Sequence, residues 1–432
     1  MTLSRKQLRT LKRHLSTLFG RKGVEPYSFK AAKRLGRKYL WQELRLSDGR
    51  IALLTDAGLA AFDAISALLR PAQLVAFTEP ADSIGSFRAI LCNFLSEGRV
   101  PSSAEELIQL VTNKLQASRR MYWQAVPING LTLEGVAVHL GCLTLERPCG
   151  ESLERRGAKL GDTSIGEMIG NGPCLVGSVY GSEAFANREF KFRVEVVIGV
   201  LAVVASVCFS DGANPFRITA ETRFAGVRAA RRRMSWDDES HGVRFSRAFV
   251  EHQDFNVDEE VASFLEGTPY VKHALSLAAS THLSELEEAL LRGIFWFSDA
   301  QQDTLRVMQL VKYWSCAEVI FSGEGTGITK AVSEGVAAIL VGAVQQEQPE
   351  NFKEIVARLV ALYELRCDAV HDARHEHVAY RDVATLSSWT AWMLLGVAGL
   401  IREQGYTDTD EVRLQSRRLA GVYSKSARGL DQ

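Results

Sequence analysis

Arg366 and His371 stand five residues apart at the end of an apolar stretch, Phe352 to Val370, whose core-type positions are Ile355, Leu359, Leu362, Tyr363, Leu365 and Val370. A charge among core residues is costly unless it is paired or faces a cleft where it acts. The two side chains have a definite joint chemistry. Histidine takes and gives protons near neutral pH, and a planar guanidinium holds a phosphate or a developing phosphorane through its fork of donors. Five residues is about 140° on an ideal helix, whereas same-face neighbours are three or four apart. Convergence on one phosphate therefore needs the helix to end near His371, the long Arg side chain to reach round, or a second chain to contribute. The alternative is a solvated Arg366 and a His371 that caps the last turn.

The elements that must position this pair are helical. Past Gly267-Thr268-Pro269 the pattern predicts a helix from Val271 to Phe297, with Thr281 and Ser284 as places to break or recap it. Further helices are predicted at Asp303–Phe321, Ile328–Val344, Phe352–Val370 and Ala379–Ile401, with a loop at Ser322–Gly327. Long helices with short connections make a bundle. Glu318 lies within an apolar helix, where an internal ion pair would accommodate it.

The run Leu310 to Phe321, followed by Tyr363-x-Leu365-Arg366-x3-Val370-His371, resembles the Apea-like branch of the HEPN superfamily over about residues 270–405. Ribonucleases of that superfamily carry Arg-x4-6-His near the end of the third long helix. The resemblance implies an all-α bundle with Arg366 and His371 as catalytic residues, and Glu318 and Asp372 in support. It implies metal-independent endonuclease action on RNA without a cofactor. It also implies homodimers or higher oligomers in which two motifs face each other, and a setting in phage defence or toxin-like growth arrest with a possible defence-system partner protein. Two positions depart from the pattern: Cys367 follows the Arg, and Asp372 stands where a Gly often follows the His.

The rest of the chain bounds these readings. Its 432 residues exceed the usual single-domain size. Lys and Arg balance Asp and Glu at 51 each, so attraction to a polyanion must come from local patches. Seven scattered Cys with no C-x2-C pair point to reduced thiols in a cytoplasmic protein, against a zinc ribbon or a disulfide scaffold. The apolar run Val196 to Ser210 is taken as the longest uncharged one and is too short to span a bilayer, so no membrane is expected. A metal reading of His371 and His375, four apart, lacks the further ligands a closed site requires.

The fold class expected is α+β: a mainly helical, basic region at 1–120, a mixed α/β domain at 121–268, and the all-α HEPN-like bundle at 269–432. Residues 1–50 hold fourteen Lys and Arg against three acids. Arg5, Lys6, Arg9, Lys12 and Arg13 alternate with leucines at helical spacing, which reads as a solvated arm, an RNA-binding foot or a transit-like leader. Ile51 to Leu69 is predicted as one helix, with others at Pro80–Glu97 and from Ser102 or Ser103 to Ser118. Strand-like runs follow from Met121, with an Asn129-Gly130 turn signal, at Cys174–Tyr180, Phe190–Val194 and Phe216–Phe224. Arg228, Arg231, Arg232 and Arg233 form a cationic cluster, either a solvated face or a holder of flanking phosphates. The function expected is a HEPN-type endoribonuclease. The alternatives are a non-catalytic HEPN protein binding RNA or a protein partner, and a metal-dependent phosphohydrolase using His371 and His375.

Overall fold

The computed structural model describes residues 4–20, 22–35, 42–69, 75–135, 137–157, 172–208, 216–220, 230–235, 244–249, 253–323, 327–371 and 377–426. They form an α+β protein that divides into two units, Met1–Trp123 with Ser178–Phe190, and Gln124–Gly177 with Lys191–Gln432. In this division most of the region between 124 and 268 groups with the C-terminal helices.

The first unit begins with α1 (Arg5–Leu18), held at its start by a capping box in which Ser4 and Gln7 satisfy each other's backbone N–H. Leu11, Leu15 and Leu18 share one side of this helix and are buried, packing chiefly on the helix Asp56–Leu68. The solvated arm is therefore corrected: the basic residues ride on the back of a core helix. β1 (Val24–Pro26), α2 (Phe29–Leu35), β2 (Glu43–Arg45) and β3 (Ile51–Leu54) follow, and the strands form an antiparallel sheet in the order β1-β3-β2. The helix expected from Ile51 begins only with α3 (Asp56–Leu68), where Thr55 accepts the Gly58 N–H at 3.0 Å. Ala52, Leu53 and Leu54 are all buried, and so short an apolar run has no period to distinguish strand from helix. α4 (Pro80–Ser96) and α5 (Ala104–Ser118) complete the core, where Phe62 stacks on Phe87 with centroids 4.9 Å apart.

β4 (Arg120–Pro127) leads to β5 (Leu131–Leu133), β6 (Val138–Leu140), β7 (Leu143–Glu146), the short α6 (Gly150–Glu154) and β8 (Cys174–Gly181). β4, β8, β7 and β6 lie in that order in one sheet. Asn129-Gly130 is not a hairpin turn. Gly130 has φ +80°, and the chain passes into β5, which pairs in parallel with β11 (Phe255–Val257). α7 (Glu183–Cys208) absorbs the strand expected at Phe190–Val194. Val196 to Ala205 is buried without a break, so no amphipathic period marks it as a helix. β9 (Ala230–Ser235) pairs with β10 (Arg244–Phe249).

The C-terminal helices are α8 (Glu259–Gly267), α9 (Pro269–Ser276), α10 (Glu285–Gln302), α11 (Arg306–Phe321), α12 (Ile328–Ala338), α13 (Phe352–His371), α14 (Tyr380–Gln404) and α15 (Thr409–Ser426). Ser284 recaps the chain with Glu287 in a capping box, so the single helix expected from Val271 is broken in two. Trp314, Tyr313, Phe297 and Phe321 fill the core. Gln301, 3% exposed, donates to Ser206 of α7 at 3.1 Å and to Ser387 of α14 at 3.2 Å. α14 is uncharged from Val383 to Ile401, longer than Val196–Ser210, and so corrects the choice of longest run. It is long and apolar enough to cross a bilayer, but 67% of that stretch is buried, so its surface is largely taken up by packing. α15 escaped the sequence reading because its inner stripe includes Thr409 and Ser416, both 3% exposed, between apolar residues.

Candidate functional site

Two contacts align the helices that carry the site. Trp314 packs on Tyr363 with centroids 5.1 Å apart, and Glu318 meets Arg366, so α11 and α13 run parallel and finish at the same end of the bundle. Arg413 of α15 finishes α11, donating from Nε to the Ile320 carbonyl at 2.9 Å and from a terminal nitrogen to the Ser322 carbonyl. Such donors satisfy carbonyls that a helix end leaves open.

On α13 the buried residues are Phe352, Ile355, Leu359, Leu362 and Ala369. Their spacing of three and four places Arg366 on the same stripe. Val370, expected in the core, is 50% exposed, and Ala369 takes the inward position. The Arg366 side chain is 21% exposed, and its guanidinium carbon lies 5.7 Å from the Tyr363 ring centroid. Its Nη2 is 3.8 Å from Glu318 Oε1, longer than a hydrogen bond, and its Nε is buried with no hydrogen-bond partner. A guanidinium held in place with donors to spare has the chemistry to receive an anion.

The helix remains α through His371, its last residue, which stands about 140° round from Arg366 on ideal geometry. The side chain of His371 lies outside the described residues, as do Asp372, His375 and Glu376. Glu354, Glu364 and Asp368 lie on the exposed side of α13, with Lys353 among them. Among the described residues no group of three His, Cys, Asp or Glu side chains gathers as metal ligands.

The chain matches no protein-family model, no curated protein and no solved structure.

The other residues singled out in the sequence lie apart from this pair in different ways. Arg5, Lys6, Arg9, Lys12 and Arg13 are all exposed on the side of α1 opposite its buried leucines, and none makes an ion pair among the described residues. Arg231, Arg232 and Arg233 are described only as backbone in β9, in register with Ala248, Arg247 and Ser246. Arg228 lies outside the described residues.

Sequence reading passed over Lys312, a second cation inside an apolar helix. Its Nζ lies 2.8 Å from both Asp299 Oδ2 and Asp303 Oδ2. Burial alone would lower its pKa, but the two carboxylates outweigh that and raise it. The signal that pointed to Arg366, a charge among core residues, was equally present there. His273 was also missed. Burial lowers its pKa, Arg402 adds to the effect, and Glu287 at 3.5 Å opposes it.

Proposed function

We propose that this protein is a HEPN-type, metal-independent endoribonuclease acting in phage defence or toxin-like growth arrest. The reading is carried by Arg366, a guanidinium fixed on the inward stripe of α13, incompletely satisfied by Glu318, five residues before the terminal His371. Its spare donors suit the equatorial oxygens of a pentacoordinate phosphorus. In the reaction the 2′-oxygen attacks the adjacent phosphorus as His371 takes its proton, and the bond from phosphorus to the 5′-oxygen breaks. The leaving 5′-oxygen takes up a proton, and a 2′,3′-cyclic phosphate remains. DNA, lacking the 2′-hydroxyl, is not a substrate. Because one helix holds Arg366 and His371 on different sides, a paired copy is proposed to bring a His to each Arg, and the exposed cations of α1 to attract the RNA backbone.

The test is incubation of purified protein with total RNA, with and without chelator, followed by analysis of the new ends. Cyclic phosphate ends in both arms are expected. Chelator-sensitive cleavage would assign the activity to a metal and to the His371/His375 reading. A second reading draws on the same 140° separation: a non-catalytic protein in which Glu318 and the Tyr363 ring hold Arg366 as a binding residue for RNA or a partner. Retained RNA binding with intact ends would favour it.

A further inference from the structure

The first unit carries a built aromatic surface that packing does not explain. Phe77 sits in the loop before α4 at φ +62°, a left-handed conformation costly for a bulky side chain. The loop nevertheless presents its ring 46% exposed. That ring meets Tyr180, itself 45% exposed, edge-on at 6.0 Å, and Phe185 at 5.7 Å. A guanidinium lies near each of these two partners: Arg119 at 5.8 Å from the Tyr180 centroid, and Arg188 at 5.5 Å from that of Phe185.

The arrangement is locked from beneath. The Phe77 carbonyl accepts the Ser182 N–H at 2.9 Å. The Ser182 hydroxyl donates to Asp82 and accepts the Phe185 N–H at 3.2 Å. A side chain at Gly181 would stand 2.6 Å from the Phe185 ring and 2.8 Å from the Phe77 carbonyl oxygen, so only glycine fits. Backbone strain that the surroundings hold in place is characteristic of functional sites.

We infer that Phe77, Tyr180 and Phe185, with Arg119 and Arg188, form a stacking platform for single-stranded nucleic acid. Exposed rings take unpaired bases on their faces, and adjacent guanidiniums stack on bases or meet the phosphates between them. Charge favours this occupant over an apolar peptide. Arg188 is paired with Glu79 at 2.7 Å, but Arg119 makes no ion pair among the described residues, and its Nε is buried with no hydrogen-bond partner. The platform is independent of the proposed chemistry at Arg366, because stacking requires no 2′-hydroxyl.

The test is equilibrium binding of the full chain to a fluorescently labelled 2′-O-methyl oligonucleotide, which has no free 2′-hydroxyl to attack and so reports binding alone. A duplex of the same sequence serves as control. Tyr180→Leu and Phe77→Gly are each expected to weaken single-strand binding about tenfold. Tyr180→Phe keeps the ring and binds as the parent does, and duplex affinity stays the same throughout. Phe77→Gly also relieves the left-handed backbone, so it tests the platform without threatening the fold. Parental single-strand affinity in well-folded Tyr180→Leu and Phe77→Gly proteins overturns the proposal and leaves the patch as a protein-docking face. An equal loss on single strand and duplex overturns it too, since stacking on unpaired bases would not be what was removed.

Discussion

Lys312 and Arg366 are both cations set into apolar helices, yet the bundle treats them differently. Lys312 is closed off by two carboxylates at 2.8 Å each, whereas Arg366 has one at 3.8 Å and a buried Nε that nothing accepts. The cations of α1 stand at the far end of the same scale, on a solvent face with no ion pair among the described residues. Closed charges hold structure and open ones are free to bind. The sequence pattern that flags a charge among core residues cannot distinguish the two, because the distinction lies in partners drawn from elsewhere in the chain.

The most severe way to break this contrast is His371→Ala, which is expected to abolish cleavage while circular dichroism and the thermal midpoint hold. A folded variant that still cleaves would end the nuclease assignment at this motif. Arg366→Ala should lower the cleavage rate about 10²–10³-fold if the guanidinium stabilises transition-state charge. Arg366→Lys should recover only part, because the fork is lost. Lys312→Met should behave in the opposite way. It leaves Asp303 without its cation and costs about 2 kcal/mol of stability, a value kept below that for a fully buried pair because Asp299 is 58% exposed. Its cleavage rate per folded molecule should equal the parent's. A Lys312 variant that loses activity without losing stability would erase the contrast.

For the exposed cations the informative change is replacement of Arg5, Lys6, Arg9, Lys12 and Arg13 by Gln. Deleting the helix would take Leu11, Leu15 and Leu18 out of the core, so a lost activity would say nothing about charge. If all five meet single-strand phosphates, the slope of log affinity against log salt should flatten by about 3 to 4. An unchanged slope would remove α1 from the binding surface. The smallest effect expected concerns His273, which burial makes harder to charge. Its folded pKa is below the unfolded value of 6.5, so stability should decline as pH falls through 6.5 and level off once the folded group also protonates. Chemical denaturation at stepped pH should show this loss in the parent and a smaller one in His273→Gln.

Long helices with a clear apolar stripe were legible in the sequence. Asp303–Phe321 and Phe352–Val370 were expected, and Arg306–Phe321 and Phe352–His371 are observed. Elements without a stripe were not. Ile51–Leu54 is too short and too uniformly buried to show a period, Phe190–Val194 alternates apolar with charged residues as a strand would, and α15 uses Thr409 and Ser416 on its inner face. At the site, residue types anticipated that Glu318 would need an internal ion-pair partner, and Arg366 stands 3.8 Å from it. They did not anticipate that Ala369 rather than Val370 would turn inward, because the rotation of a helix end is set by its neighbours. The strained turn at Phe77 left no local mark at all, being fixed by Ser182 far along the chain.

The amide of Gln301 also sets the order in which the bundle can be completed. One of its acceptors, Ser206, leaves the ribosome 95 residues before it, and the other, Ser387, 86 residues after it. Until α14 is synthesised, the α10–α11 hairpin can pair with itself but cannot bury the face that α14 covers, and Gln301 keeps a donor meant for Ser387 unspent. Contacts of such long sequence separation form late and slowly. A nascent chain that stalls before residue 380 therefore leaves exposed the apolar face that α14 covers, and exposed faces of that kind promote aggregation.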